Sequence, residues 1–167
     1  MTRIFLIGYM GCGKTTIGKI LAEKMGYNFV DLDIFIEKKY LKTVSEIFAE
    51  MGQKKFRKIE QKCLAEVSDF EKTIIATGGG TPCYFDNLKK MNESGLTVYI
   101  RLTTKELCSR LESSQASKRP LIADKKGEEL HLFIQNGLKV REPFYLQAKL
   151  IVNGYDENLV EQISKII

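Results

Sequence analysis

The stretch Ile4-Phe5-Leu6-Ile7-Gly8-Tyr9-Met10-Gly11-Cys12-Gly13-Lys14-Thr15-Thr16 leaves this chain little freedom in what it can fold into. Four apolar residues run into G-x-x-x-x-G-K-T and a helical pattern follows at once, which predicts a strand, a phosphate-binding loop and a helix. A loop that wraps phosphate oxygens turns its backbone N–H groups inward, and residues without a Cβ permit that close approach. Lys14 is placed to reach the β- and γ-phosphates of a nucleotide as a point charge, and Thr15 to offer its hydroxyl to Mg²⁺. The helix that begins near Thr15 aims the positive end of its dipole at the same phosphates. A turn that merely happens to contain these four fixed positions is expected in roughly one chain of this length in a few hundred. Requiring the strand before and the helix after lowers that further.

With 167 residues the chain is long enough for one domain with a full core and too short for two ordinary ones. Its composition, 44% hydrophobic and 28% charged, excludes fibrous and disordered classes. The longest apolar runs are a few residues, so no segment is expected to span a bilayer, and Met1-Thr2-Arg3 leads into a strand rather than a signal peptide. A cytoplasmic location is the expectation. Cys12, Cys63, Cys83 and Cys108 lie far apart without a C-x-x-C pair and read as reduced thiols. The formal charge of +5 raises nucleic acid as a partner, yet basic and acidic residues are interleaved and no aromatic-plus-basic RNA signature occurs. A modest positive field suits an anionic small molecule such as ATP, with no nucleic acid or membrane partner. The single histidine, His131, sits in a helical stretch and reads as structural, which argues against catalysis through a Ser-His or Cys-His pair.

Along the chain, Ile17, Ile20, Leu21 and Met25 keep helical spacing up to a stop at Gly26, and Tyr27 to Val30 reads as a second buried strand. That strand runs into Asp31-Leu32-Asp33, whose carboxylates lie at the sheet edge where ligands bind in parallel α/β folds. Asp is also a common helix N-cap, and Ile34 to Glu37 looks like a helix start, so metal or substrate binding and capping both stay open for these two residues. Thr43 to Val67 is helical with an interruption at Gly52 and with Ser45-Glu46 near its start. Phe56, Ile59, Cys63 and Val67 form one apolar stripe there, leaving Arg57 and Glu60 on an adjoining face, where an ordinary surface ion pair is the default reading. Thr73 to Thr77 is a third strand ending in Gly78-Gly79-Gly80, more glycine than a tight turn needs, which suggests a ligand against bare backbone. No aspartate ends this strand, so the metal must lean on other groups, with Asp31 the nearest. Leu96 to Ile100 is a fourth strand and Thr104 to Leu111 a short helix. Glu112 to Gly127 is polar, lacks core periodicity and carries Lys118 and Arg119, which suits a lid over phosphates. Glu128 to Val140 returns to helix before Pro143, Leu150 to Val152 is a fifth strand, and Leu159 to Ile167 a last helix. The alternation predicts an α/β domain, a five-stranded parallel sheet with helices on both faces.

Six separated pieces resemble the shikimate kinases, a family of the nucleoside-monophosphate-kinase-like P-loop proteins. They are Gly8 through Gly18, Asp31-Leu32-Asp33, Phe56-Arg57-Lys58-Ile59-Glu60, Gly78-Gly79-Gly80, Arg119-Pro120-Leu121 and Arg141-Glu142-Pro143-Phe144-Tyr145. The first alone says only P-loop; the set, in family order across essentially the whole chain, is specific. The resemblance implies one P-loop NTPase-type domain with a substrate-binding helical region at about 33–61 and a mobile lid at about 112–127. It implies ATP-dependent phosphorylation of the 3-hydroxyl of shikimate, a step of chorismate and aromatic amino acid biosynthesis, by a monomer that needs Mg²⁺. It further implies that Gly11, Cys12, Gly13, Lys14, Thr15 and Thr16 hold ATP, with Thr15 and Asp31 at the metal. Asp33, Arg57, Gly78, Gly79, Gly80 and Arg141 would surround shikimate, and Glu60 would orient Arg57. Arg119 would come from the lid onto the phosphates and Arg110 would lie against the adenine, with Asp33, Lys14 and Arg119 as the catalytic set. The interval from Arg110 to Arg119 is longer than the family pattern, and no basic residue stands near Asn153 to Asp156 on the adenine side.

Rival readings share parts of this pattern. A kinase for gluconate or a nucleoside monophosphate would keep the loop and lid but has no need of this arginine, glycine and aspartate set. A nucleotide-switch GTPase would need a guanine-reading N-K-x-D, and no such string occurs.

Overall fold

The computed structural model describes residues 3–113 and 121–167. Five strands, β1 (Arg3–Ile7), β2 (Asn28–Asp31), β3 (Thr73–Ala76), β4 (Leu96–Arg101) and β5 (Leu150–Asn153), form one parallel sheet in the order β2-β3-β1-β4-β5. Consecutive residues along β1, β3 and most of β4 are buried, so side chains pointing to opposite faces are equally covered. That is the signature of a parallel sheet with helices packed on both sides. The core is built from these strands together with Leu21, Leu32, Ile36, Phe56, Leu64, Ile134 and Tyr145 from the helices.

The helices are α1 (Lys14–Met25), α2 (Leu32–Tyr40), α3 (Val44–Val67), α4 (Asn87–Ser94), α5 (Thr104–Ser113), α6 (Gly127–Tyr145) and α7 (Leu159–Ser164). Helix α1 ends where expected, at Gly26 in the left-handed conformation, which frees the chain to turn into β2. Helix α3 starts with a capping box: the Thr43 hydroxyl accepts from the Glu46 amide while the Glu46 carboxylate accepts from the Thr43 amide. Gly52, with φ 77° and ψ 167°, breaks it as the sequence indicates. Among the described residues no helix is long and apolar enough to cross a membrane.

Several boundaries differ from expectation, each for a local reason. Helix α2 begins at Leu32 rather than Ile34, because Asp31 is its cap, which puts Asp33 in the first helical turn. Helix α4 has few apolar positions and was not foreseen; it is held by buried Leu88 and Met91 and by Asn87, whose amide donates to the Thr81 carbonyl. Pro143 does not stop α6, which runs on to Tyr145, since a proline this near the end removes only one late hydrogen bond. The expected structureless stretch from 112 to 127 is shorter at both ends, with α5 reaching Ser113 and α6 starting at Gly127; Glu112 accepts a hydrogen bond from the Gly127 amide and ties the two helices together. Ile122 within it is fully buried against the core. Arg119, Lys118 and Pro120 lie outside the described residues.

Candidate active site

The register brings the site together before any side chain is considered. Leu6 of β1 and Asp31 of β2 both pair with Ala76 of β3, so the phosphate loop, the acidic strand end and the glycine turn leave the sheet at one level of its carboxyl edge. Strand β1 has β3 on one side and β4 on the other, so the chain leaves it at a switch of direction, where α/β sheets open a crevice. A cleft of about 610 Å³ lies there, bordered by Gly11, Lys14, Thr15, Asp31, Asp33 and Gly79 among others.

Gly13 stands at the start of α1 with φ 96°, a conformation that a Cβ would strain, and no side chain caps the helix. The first-turn amides are thereby left to an anion. Lys14 Nζ donates to the carbonyls of Gly8 (2.7 Å) and Tyr9 (3.0 Å), which holds the ammonium across the mouth of the loop. Cys12 turns its side chain into the core, so its contribution to a phosphate is limited to its backbone. Arg110 donates to the carbonyls of Cys12 (3.0 Å) and Gly154 (3.1 Å), and its Cζ lies 4.5 Å from the centre of the Tyr155 ring. It borders the cleft while tying the loop to the segment after β5.

Asp31 caps α2 and also reaches the phosphate loop. One carboxylate oxygen accepts from the amides of Asp33 and Ile34 as the cap of α2, and the other accepts from the Thr15 hydroxyl at 2.9 Å. A hydroxyl and a carboxylate oxygen thus meet at the cleft wall. Both are hard oxygen ligands, and Mg²⁺ takes few protein oxygens and completes its shell with water and phosphate.

The three glycines explain themselves by what approaches them. A Cβ on Gly80 would stand 2.6 Å from Arg57 Nη2, one on Gly79 3.2 Å from Arg141 Nη1, and one on Gly78 3.3 Å from both Asp33 Oδ1 and Glu60 Oε2. Their bareness makes room for side chains as much as for a ligand. Two guanidinium groups and two carboxylates therefore converge on one turn. Tyr145, fully buried, donates its hydroxyl to the Gly79 carbonyl at 2.5 Å and fixes the middle of that turn.

The Arg57–Glu60 pair is not the surface ion pair that spacing alone favours. The Glu60 side chain is 1% exposed and that of Arg57 11%, and they meet at 2.9 Å. The second Glu60 oxygen accepts from the buried Thr81 hydroxyl at 2.7 Å. Arg141 lies over the Tyr9 ring at 5.3 Å, while its neighbour Glu142 accepts from Arg101 Nε (3.0 Å) and Tyr99 (3.2 Å), which pins the end of α6 to β4. Burial pushes the Cys83 thiol up to about 11 despite the nearby Arg141 and Arg57, so it stays neutral and leaves their charge to a ligand. Asp33 is raised to about 6, first by burial and then by the carboxylates of Asp31 and Glu60, with Lys14 opposing. A carboxyl so tuned is ionised at neutral pH yet basic enough to take a proton.

Thr81, Tyr84 and Tyr145 were assigned no role from sequence. Thr81 and Tyr84 follow the glycines in a stretch without periodicity, and nothing in the order of residues says that the turn folds back onto Arg57.

The shikimate kinase family profile matches residues 10–167. A shikimate kinase of Azobacteroides pseudotrichonymphae is 51% identical over 171 residues, spanning 98% of this chain and 100% of that one. Among solved structures, a shikimate kinase from Bacteroides thetaiotaomicron superposes with a TM-score of 0.91 at 43% identity, covering 99% of this chain and 96% of the other. One from Acinetobacter baumannii, in complex with shikimate, gives a TM-score of 0.86 at 30% identity over 99% and 90%.

Proposed function

This chain belongs to the shikimate kinase family, and from that premise we propose how its residues divide the work of phosphorylating shikimate with ATP. The γ-phosphoryl group of ATP passes to the 3-hydroxyl of shikimate: a bond forms between that oxygen and phosphorus, and the bond from phosphorus to the β–γ bridging oxygen breaks, leaving ADP. The observation that carries the division is the convergence of Asp33, Arg57 and Arg141 on the Gly78–Gly80 turn, next to the phosphate loop. Two guanidinium forks suit a carboxylate, and a carboxylate of raised pKa suits a hydroxyl that must lose its proton. Glu60 holds Arg57, and the glycine turn backs the sugar-like ring.

Phosphoryl transfer asks for alignment and for positive charge around the moving group. Lys14 and the α1 amides supply it from the loop, and Arg119 from the segment after α5. Thr15 and Asp31 would hold Mg²⁺, which when bound adds charge against the phosphate oxygens. Arg110 lies against the adenine. Asp33 accepts the hydrogen bond of the attacking hydroxyl and receives its proton. The same reading takes 33–61 as the substrate-binding region and 112–127 as a lid whose closure excludes water. It makes the enzyme a cytoplasmic monomer.

The test separates the two arginines. Each charged hydrogen bond is worth roughly 1.5 to 3 kcal/mol, so Arg141→Ala is expected to lower kcat/KM for shikimate by about ten- to a hundredfold or more, with the KM for ATP nearly unchanged. Arg57→Ala is expected to do the same and also to unfold at lower temperature. It leaves the buried Glu60 carboxylate without its counter-ion, at a cost of roughly 3 kcal/mol or about 6 to 12 °C in Tm. Unchanged shikimate kinetics in both variants would remove the acid-binding assignment.

A further inference from the structure

Arg57 is held at one end of its guanidinium by Glu60, and that contact alone is a hinge: it fixes Nη1 and lets the plane rotate. Arg57 Nε is buried and has no hydrogen-bond partner. What fixes the plane is aromatic. The centre of the Tyr84 ring is 4.1 Å from Arg57 Cζ, closer than Phe56 at 5.3 Å and Phe48 at 5.8 Å. Tyr84 is itself fastened: its hydroxyl accepts from Gln53 Nε2 at 2.8 Å, just past the break at Gly52, and its carbonyl accepts from the Asn87 amide. The ring thus lies against the guanidinium, on the short stretch that also brings Thr81 to Glu60.

We infer that Tyr84 is a positioning residue for the acid substrate: it holds the Arg57 guanidinium in place so that its remaining Nη N–H bonds meet a carboxylate already aligned. The inference rests on the assignment of Arg57 to the substrate carboxylate. A bidentate pair gains its strength from two parallel bonds, and a guanidinium free to rotate must lose that freedom on binding. A ring that orders it beforehand lowers KM for the acid and leaves the phosphoryl step alone. Tyr84 is half-buried and supplies an electron-rich face, which no aliphatic side chain replaces.

The experiment is a kinetic double-mutant cycle. Shikimate is varied at saturating ATP, and ATP at saturating shikimate, for wild type, Tyr84→Phe and Tyr84→Leu, with Tyr84→Met as a second aliphatic variant should Tyr84→Leu fold poorly. The cycle is repeated with Arg57→Ala combined with Glu60→Gln, which removes the guanidinium without stranding a buried carboxylate. Tyr84→Leu is expected to raise the shikimate KM about tenfold, with kcat and the KM for ATP within about twofold. Tyr84→Phe, which keeps the ring, stays within about threefold of wild type. In the background lacking the guanidinium, Tyr84→Leu changes kcat/KM by less than about twofold, since the ring has nothing left to hold. Equal losses in both backgrounds, or loss of Tm without a change in KM, would mean simple packing and overturn the inference. Wild-type kinetics in Tyr84→Leu, alongside a damaged Arg57→Ala, would overturn the inference alone. Wild-type shikimate kinetics in Arg57→Ala would overturn the assignment of Arg57 and the inference with it.

Discussion

Lys14→Met is expected to fold and to lose phosphoryl transfer by at least about a hundredfold in kcat, a barrier increase of roughly 3 kcal/mol. The methionine keeps the length of the side chain and removes the charge that we assign to the γ-phosphoryl group. The structure adds a second effect that motif reasoning alone does not contain. In this state Nζ donates to the Gly8 and Tyr9 carbonyls, so the substitution leaves two loop acceptors without their donor. A loss of roughly 1 to 2 kcal/mol, or about 2 to 8 °C in Tm, should accompany the loss of activity. Steady-state ADP release and a thermal melt check both parts, and more than about a tenth of wild-type kcat in the purified variant would contradict the role of the loop.

Asp33→Asn should separate activity from stability in opposite directions. Loss of the carboxylate that we assign as proton acceptor is expected to lower kcat by about 10² to 10⁴. Stability should rise. The Asp33 carboxyl titrates near 6 in the folded protein against an ordinary 3.8, so between those values the folded state binds the extra proton. Stability from this group therefore falls as pH rises through that window, and the whole cost of burying the charge is present at neutral pH. Asparagine removes that cost. A gain of up to about 3 kcal/mol at pH 7.5, at most about 6 to 12 °C in Tm, should vanish when the melt is repeated below about pH 4. In wild type, kcat/KM should fall with unit slope below about pH 6 and keep no such limb in the variant. A variant less stable than wild type at neutral pH would show that the carboxylate is held by favourable contacts and is no poised base.

Motifs with a fixed local geometry were legible in the sequence, and contacts made across the fold were not. The loop from Gly8 to Thr16 states its own shape, because glycine spacing, the lysine and the flanking periodicities all act within a few residues. The five strands and their parallel direction follow from the alternation with helices, while the order β2-β3-β1-β4-β5 does not. For Glu60, helical spacing alone reports only that it neighbours Arg57 and so favours a surface pair, whereas its burial is decided by the turn at Gly78–Gly80, far away in the chain; the part of orienting Arg57 came from the family resemblance. Asp31 looked like a choice between cap and ligand, and its two oxygens serve both Thr15 and α2. The glycine triplet announced close approach without saying that Arg57, Arg141 and Asp33 are what approaches. Helix α4, with two buried apolar residues, Leu88 and Met91, gives too short a stripe for periodicity to register.

The central claim is that the convergence on the glycine turn selects an acid bearing hydroxyl groups, and acceptor choice tests it most directly. ADP release from ATP by the wild-type enzyme is measured with shikimate, gluconate and AMP offered separately over a range of concentrations. Two guanidinium forks and a raised carboxyl set beside one turn predict that shikimate is turned over with a kcat/KM at least about a hundredfold above either alternative. A kcat/KM for gluconate or AMP equal to or above that for shikimate would contradict the account.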